Sequence, residues 1–79
     1  MGRDALTMVA NAVLQQVRDA GAALGDDHLL VALPAYLDAI EIHRLQMEIN
    51  RHSVFSVALQ HRPGERRVGV RLTMPPRRR

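Results

Sequence analysis

The chain has 79 residues, of which 47% are hydrophobic, and a formal net charge of +3. That length suits one small domain, and that apolar content excludes an intrinsically disordered chain. There is no cysteine, which excludes disulfides and thiolate metal sites, and no apolar run reaches the roughly eighteen residues of a membrane span.

The opening MGRDALTMVA lacks the unbroken apolar core of a signal peptide, so a cytoplasmic location is expected. Aromatic residues are limited to Tyr36 and Phe55, so the core must be aliphatic. A core this small makes a homodimer an expectation as well. Charge is uneven. Residues 1–59 carry four Arg against seven Asp and Glu, whereas residues 60–79 carry seven Arg against Glu65 alone. All the basic residues are Arg, which fits either GC-rich coding or bidentate contacts with carboxylate and phosphate.

Residues 3–24 predict one amphipathic helix. Leu6, Val9, Val13, Val17, Ala20 and Leu24 keep the three-and-four spacing of a buried stripe. Asp4 falls in the first turn, where a carboxylate favours the helix dipole, and Gly21 and Gly25 supply weakening and stop signals. Residues 25–39 read as a connector. Its apolar run His28–Leu33 fits a short strand or a short helix capped by Asp27, because periodicity cannot separate the two at that length. Pro34 can open a short helix or turn over 34–39.

Residues 40–74 alternate apolar and polar side chains in three runs, which predicts a three-stranded antiparallel meander with one apolar face. A turn on Pro63-Gly64 sets Leu59 opposite Val68, Val57 opposite Val70 and Phe55 opposite Leu72. The first run, 45–50, would pair Ile49 with Phe55 and Met47 with Val57. Ile40 and Ile42 fall on the other parity and require a bulge near His43-Arg44. The competing reading is a helix over 35–51. It has no clean polar face, because Tyr36, Ile40 and Met47 lie nearly opposite Ile42, Leu45 and Ile49. Pro75-Pro76 ends the last strand before the basic tail Arg77–Arg79. The predicted fold is therefore α+β: one long N-terminal helix packed on a three-stranded antiparallel β-meander, joined by a short irregular or helical connector.

No catalytic signature emerges. The histidines His28, His43, His52 and His61 lack the spacing of a zinc site, although the expected register sets His43 near His61. Ser53 and Ser56 near His52 do not make a triad. Neither metal nor cofactor is expected, nor enzymatic activity. The wet face of the predicted sheet aligns Glu48, Ser56 and Arg71, with Ala58 and Gly69 leaving a flat centre that another backbone can approach. The expectation is a small non-enzymatic protein that docks on and blocks or adapts a partner protein or nucleoprotein complex through Glu48, Arg62, Arg66, Arg67 and Arg71. Phage-encoded anti-defence proteins, including anti-CRISPR inhibitors, share this size and build, an analogy and not a motif match. The alternative is nucleic-acid binding by Arg62, Arg66, Arg67, Arg71, Arg77, Arg78 and Arg79 through counterion release. A dimer formed by joining two open sheet edges would protect unpaired strands.

Overall fold

The computed structural model describes residues 3–21, 25, 28–51, 53 and 56–73. Helix α1 spans Arg3–Ala20, strand β1 Leu29–Ala32, helix α2 Ala39–Arg51, strand β2 Ser56–Gln60 and strand β3 Arg67–Thr73. The α+β class is as expected, but the arrangement of strands is not a meander.

The spacing of α1 buries Val9, Ala10, Val13 and Val17, with Leu6 and Leu14 partly covered beside them. Asp4 lies in its first turn. The helix ends at Ala20, short of the predicted 24. Gly21 adopts a φ of +62°, and its N–H donates to the Arg18 carbonyl at 3.1 Å. A left-handed residue at this position closes a helix, and glycine takes it without steric cost. Leu24, the last member of the predicted stripe, lies outside the described residues.

The third strand of the sheet is the connector segment 29–32, not 45–50. The order is β1-β3-β2, and β3 is antiparallel to both neighbours. β1 and β2 are therefore parallel to each other, and two parallel strands need a long crossover. Residues 33–55 supply it, with α2 as its helix, giving a split β-α-β arrangement with β3 inserted.

The predicted strand at 40–50 is thus a helix, and its start is encoded locally. The Glu41 N–H donates to Asp38 Oδ1 at 2.8 Å, and the Asp38 N–H reaches back to Glu41 Oε1 at 3.5 Å. This is a capping box, with Leu37 and Ile42, both buried, at the two staple positions. Residues 34–38 form no helix of their own but end in that cap. Helical spacing also removes the need for a bulge: Ile42, Leu45 and Ile49 share the buried face, while Ile40 and Met47 remain exposed. The wheel lacked a clean polar side because its outer side is itself partly apolar.

The turn at 62–65 forms as expected. The Glu65 N–H donates to the Arg62 carbonyl at 3.1 Å, and Gly64 takes a φ of +80°. Its pairing is displaced by two residues: Val57 faces Leu72, Leu59 faces Val70 and Gln60 faces Gly69. Phe55, expected opposite Leu72, lies outside the described residues. In this register β3 pairs with β1 from Arg67 onward and meets β2 only from Gly69. The Leu33 N–H donates to the Arg66 carbonyl at 2.6 Å, and Ala32 and Val31 pair with Arg67 and Val68. A slip of two preserves parity, so Val57, Val68, Val70 and Leu72 still face the helices and are buried.

Both outer edges of the sheet are held by helical amides. Gln16 of α1 donates to the Ala32 carbonyl at 2.7 Å and accepts from the Ala32 N–H at 3.0 Å. On the other edge Asn50 of α2 accepts from the Val57 N–H at 2.7 Å and donates to its carbonyl at 3.2 Å, and Gln46 accepts from the Leu59 N–H at 2.9 Å. Each side chain substitutes for a neighbouring strand. These bonds protect part of each edge, at Ala32 on β1 and at Val57 and Leu59 on β2.

Candidate docking surface

Both helices lie on one face of the sheet, and none of the described elements covers the other. Side chains on that face alternate with the buried set: Leu30 and Ala32 on β1, Ser56, Ala58 and Gln60 on β2, and Arg67, Gly69, Arg71 and Thr73 on β3. The register builds rows across it. Leu30, Gly69 and Gln60 form one row, Arg71 and Ala58 another, Ser56 and Thr73 a third, and Ala32 neighbours Arg67.

Of the predicted site residues, Arg67 and Arg71 stand on the uncovered face of the central strand. They are four positions apart, or about 13 Å at the usual rise per strand residue. Arg62 and Arg66 lie in the adjoining β2–β3 turn and are exposed. Arg77, Arg78 and Arg79 lie outside the described residues. Glu48 does not join this surface. It sits on α2 and is only 6% exposed, and it accepts from Thr7 Oγ1 at 3.2 Å and from Arg51 Nη2 at 2.8 Å. The expected row of Glu48, Ser56 and Arg71 is therefore absent, because residues 45–50 belong to the helical layer. A carboxylate this buried needs such partners to offset its lost hydration.

The charges on the uncovered side are partly compensated. Arg67 donates to Glu65 Oε1 from Nε at 3.2 Å and from Nη2 at 2.6 Å, while Arg62 Nη1 lies 4.0 Å from Glu65 Oε2. The hydrogen bonds and charge of Arg67, with a smaller contribution from Arg62, hold the Glu65 carboxyl below its ordinary value. Arg66 Nη1 reaches only the Pro34 carbonyl, at 3.5 Å, and Arg71 has no carboxylate partner among the described residues. These two guanidiniums are available to a ligand.

The centre of the face is less open than glycine at position 69 suggests. A Cβ there would lie 3.1 Å from Gln60 Oε1, so the Gln60 side chain already fills the space over Gly69. Ala58 and Ala32 remain small and exposed.

Sequence reading missed the exposed apolar residues of the helical layer: Met8 at 71%, Ile40 at 66% and Met47 at 60% exposed. The signal for Ile40 and Met47 was the second apolar stripe on the wheel of 35–51, once the Asp38–Glu41 cap is recognised as a helix start. A groove between the helices, about 720 Å³, is lined by Leu6, Arg44, Met47, Glu48, Asn50 and Arg51. Of the four histidines, His28 and His43 are exposed, His61 is half-buried after β2, and His52 lies outside the described residues. His43 is carried by α2 rather than by a strand paired with His61. Among the described residues no group of three or more His, Asp or Glu could hold a metal ion, and no helix is long and apolar enough to cross a membrane. Comparison with protein-family models, with curated proteins and with solved structures finds no significant match.

Proposed function

We propose that the chain is a small non-enzymatic binding domain that sets the uncovered face of its sheet against an acidic surface of a protein or nucleoprotein complex. It acts by occupying that surface, in the manner of phage-encoded anti-defence inhibitors. The observation that carries the reading is the charge of that face. Arg71 on the central strand and the adjoining Arg66 have no carboxylate partner among the described residues, while Arg67 beside them is shared with Glu65. Small side chains at Ala32 and Ala58 keep the remainder flat, which favours close approach of a broad surface over capture of a small molecule. Complementary charge of this kind steers encounter and selects partners.

Direct nucleic-acid binding is the second reading, favoured by the two guanidiniums without carboxylate partners and by the arginine-rich tail. Glu65 weighs against it, because its carboxylate occupies Arg67 and approaches Arg62, leaving fewer cations for phosphates.

Affinity capture from the source cell with the wild-type chain and with an Arg66→Ala/Arg71→Ala variant tests the proposal. The expected outcome is an acidic protein or nucleoprotein recovered by the wild type, retained after nuclease treatment and lost with the variant. Recovery that is identical for both chains contradicts it. Binding to short fluorescent DNA or RNA at low salt, falling steeply as salt is added, would select the nucleic-acid reading instead.

A further inference from the structure

We infer that a second copy of this chain docks on the outer surface of the helical layer, with α1 of each protomer antiparallel to α2 of the other. The inference rests on the two helices' outward stripes and goes beyond the sheet-face reading.

On α1 one outward line is formed by Asp4, Met8, Asn11 and Gln15, all exposed, and Arg18 continues it. On α2 the matching line is formed by Ile40, Arg44, Met47 and Arg51, likewise exposed, with exposed His43 one turn from Met47. Both sets step by four, three and four residues, the spacing that keeps side chains along one helical face. Antiparallel docking then brings four pairs into register. Asp4 meets Arg51, Met8 meets Met47, Asn11 meets Arg44, and Gln15 meets Ile40. Carboxylate faces guanidinium, thioether faces thioether, and an amide oxygen can accept from the second guanidinium. The same spacing would permit parallel docking, but that sets Asp4 against Ile40 and Met8 against Arg44. Charge and polarity therefore select the antiparallel arrangement.

Two-fold symmetry makes each contact twice, once for each α1 and α2 pairing. Each helix contributes about 17 Å of contact at the usual helical rise. The groove lined by Leu6 and Met47 is the recess into which Met8 of the second copy inserts. The three exposed large apolar residues of the helices, Met8, Ile40 and Met47, would all leave water. Such a dimer keeps the amide-held sheet edges out of the interface and turns the two uncovered sheet faces outward, so that one dimer presents two docking surfaces. An interface of this size lies at the small end and forms a reversible dimer.

Sedimentation equilibrium on the full chain tests the inference, with Met8→Lys, Met47→Glu and the double variant. Both positions are exposed in the monomer, and circular dichroism confirms that each variant folds. The wild type is expected to form a concentration-dependent dimer. Each single substitution should weaken it at least about tenfold by placing a charge against a thioether. The double variant sets an ammonium against a carboxylate where the two thioethers met. It should return to within about threefold of the wild type, as a coupled pair does. A wild type that stays monomeric at the highest attainable concentration would overturn the inference. So would a dimer indifferent to the single substitutions, or a double variant no better than either.

Discussion

Glu65 decides how much of the turn's positive charge is free. Its carboxylate accepts two hydrogen bonds from Arg67 and sits near Arg62, so its ionised form is favoured in the folded chain. A carboxyl whose folded pKa is depressed adds stability above its ordinary value of 4.5. That stability is lost as pH falls through the lower, folded value. Thermal unfolding of the wild type should therefore lose more stability on acidification below pH 4.5 than unfolding of a Glu65→Gln variant. The two curves should converge at the acid end. A wild-type and variant difference that is constant with pH would show that the pairing is not formed in solution. The group is solvent-exposed, so the effect is modest and weakens with salt. Gln60 illustrates the same scale differently: one amide side chain covers Gly69 and converts an apparent gap in the sheet into a filled, polar patch.

Among the elements, α2 has two tasks, and its amphipathic pattern reflects both. Ile42, Leu45 and Ile49 close the core, while Gln46 and Asn50, one turn apart, hold the edge of β2. Asn50→Ala removes both partners of the Val57 peptide and should cost about 1–3 kcal/mol in urea denaturation. A loss below about 0.5 kcal/mol would mean that water replaces the amide without penalty. This double duty explains what the sequence disclosed and what it concealed. α1 was readable because Leu6, Val9, Val13 and Val17 keep an unbroken buried stripe and its opposite face, Met8 apart, is mostly polar. The parity of Val57, Val68, Val70 and Leu72 was readable because one sheet face is buried and the other wet. The helix at 39–51 was not, since exposed Ile40 and Met47 blurred the contrast that distinguishes a helix from alternation. The Asp38–Glu41 capping box was the local clue. The register and strand order were hidden for a different reason: they depend on β1, whose four residues carry no periodicity long enough to assign. The basic turn and Arg71 were legible as candidate contacts, whereas Glu48 was misplaced with its helix.

At the scale of the whole molecule, the chain divides its surface by layer. The helical layer carries the exposed thioethers and Ile40, together with both acids and arginines. The uncovered sheet face carries arginine and small residues, with Glu65 of the turn bonded to Arg67 at its margin, and amides from the helices hold Ala32 and Val57 on the two sheet edges. A surface divided by layer can be read by position-specific crosslinking, which works on a partner of any identity. The most direct test places a photoreactive amino acid at Ala58, exposed on the uncovered face of edge strand β2, and separately at Asn11 on the outer side of α1, in chains expressed in the source cell. Crosslinking from Ala58 to a partner other than the chain itself, with Asn11 giving at most adducts between copies of the chain, is the predicted result. Partner adducts from Asn11 and none from Ala58 would contradict it, placing recognition on the helices instead of the sheet.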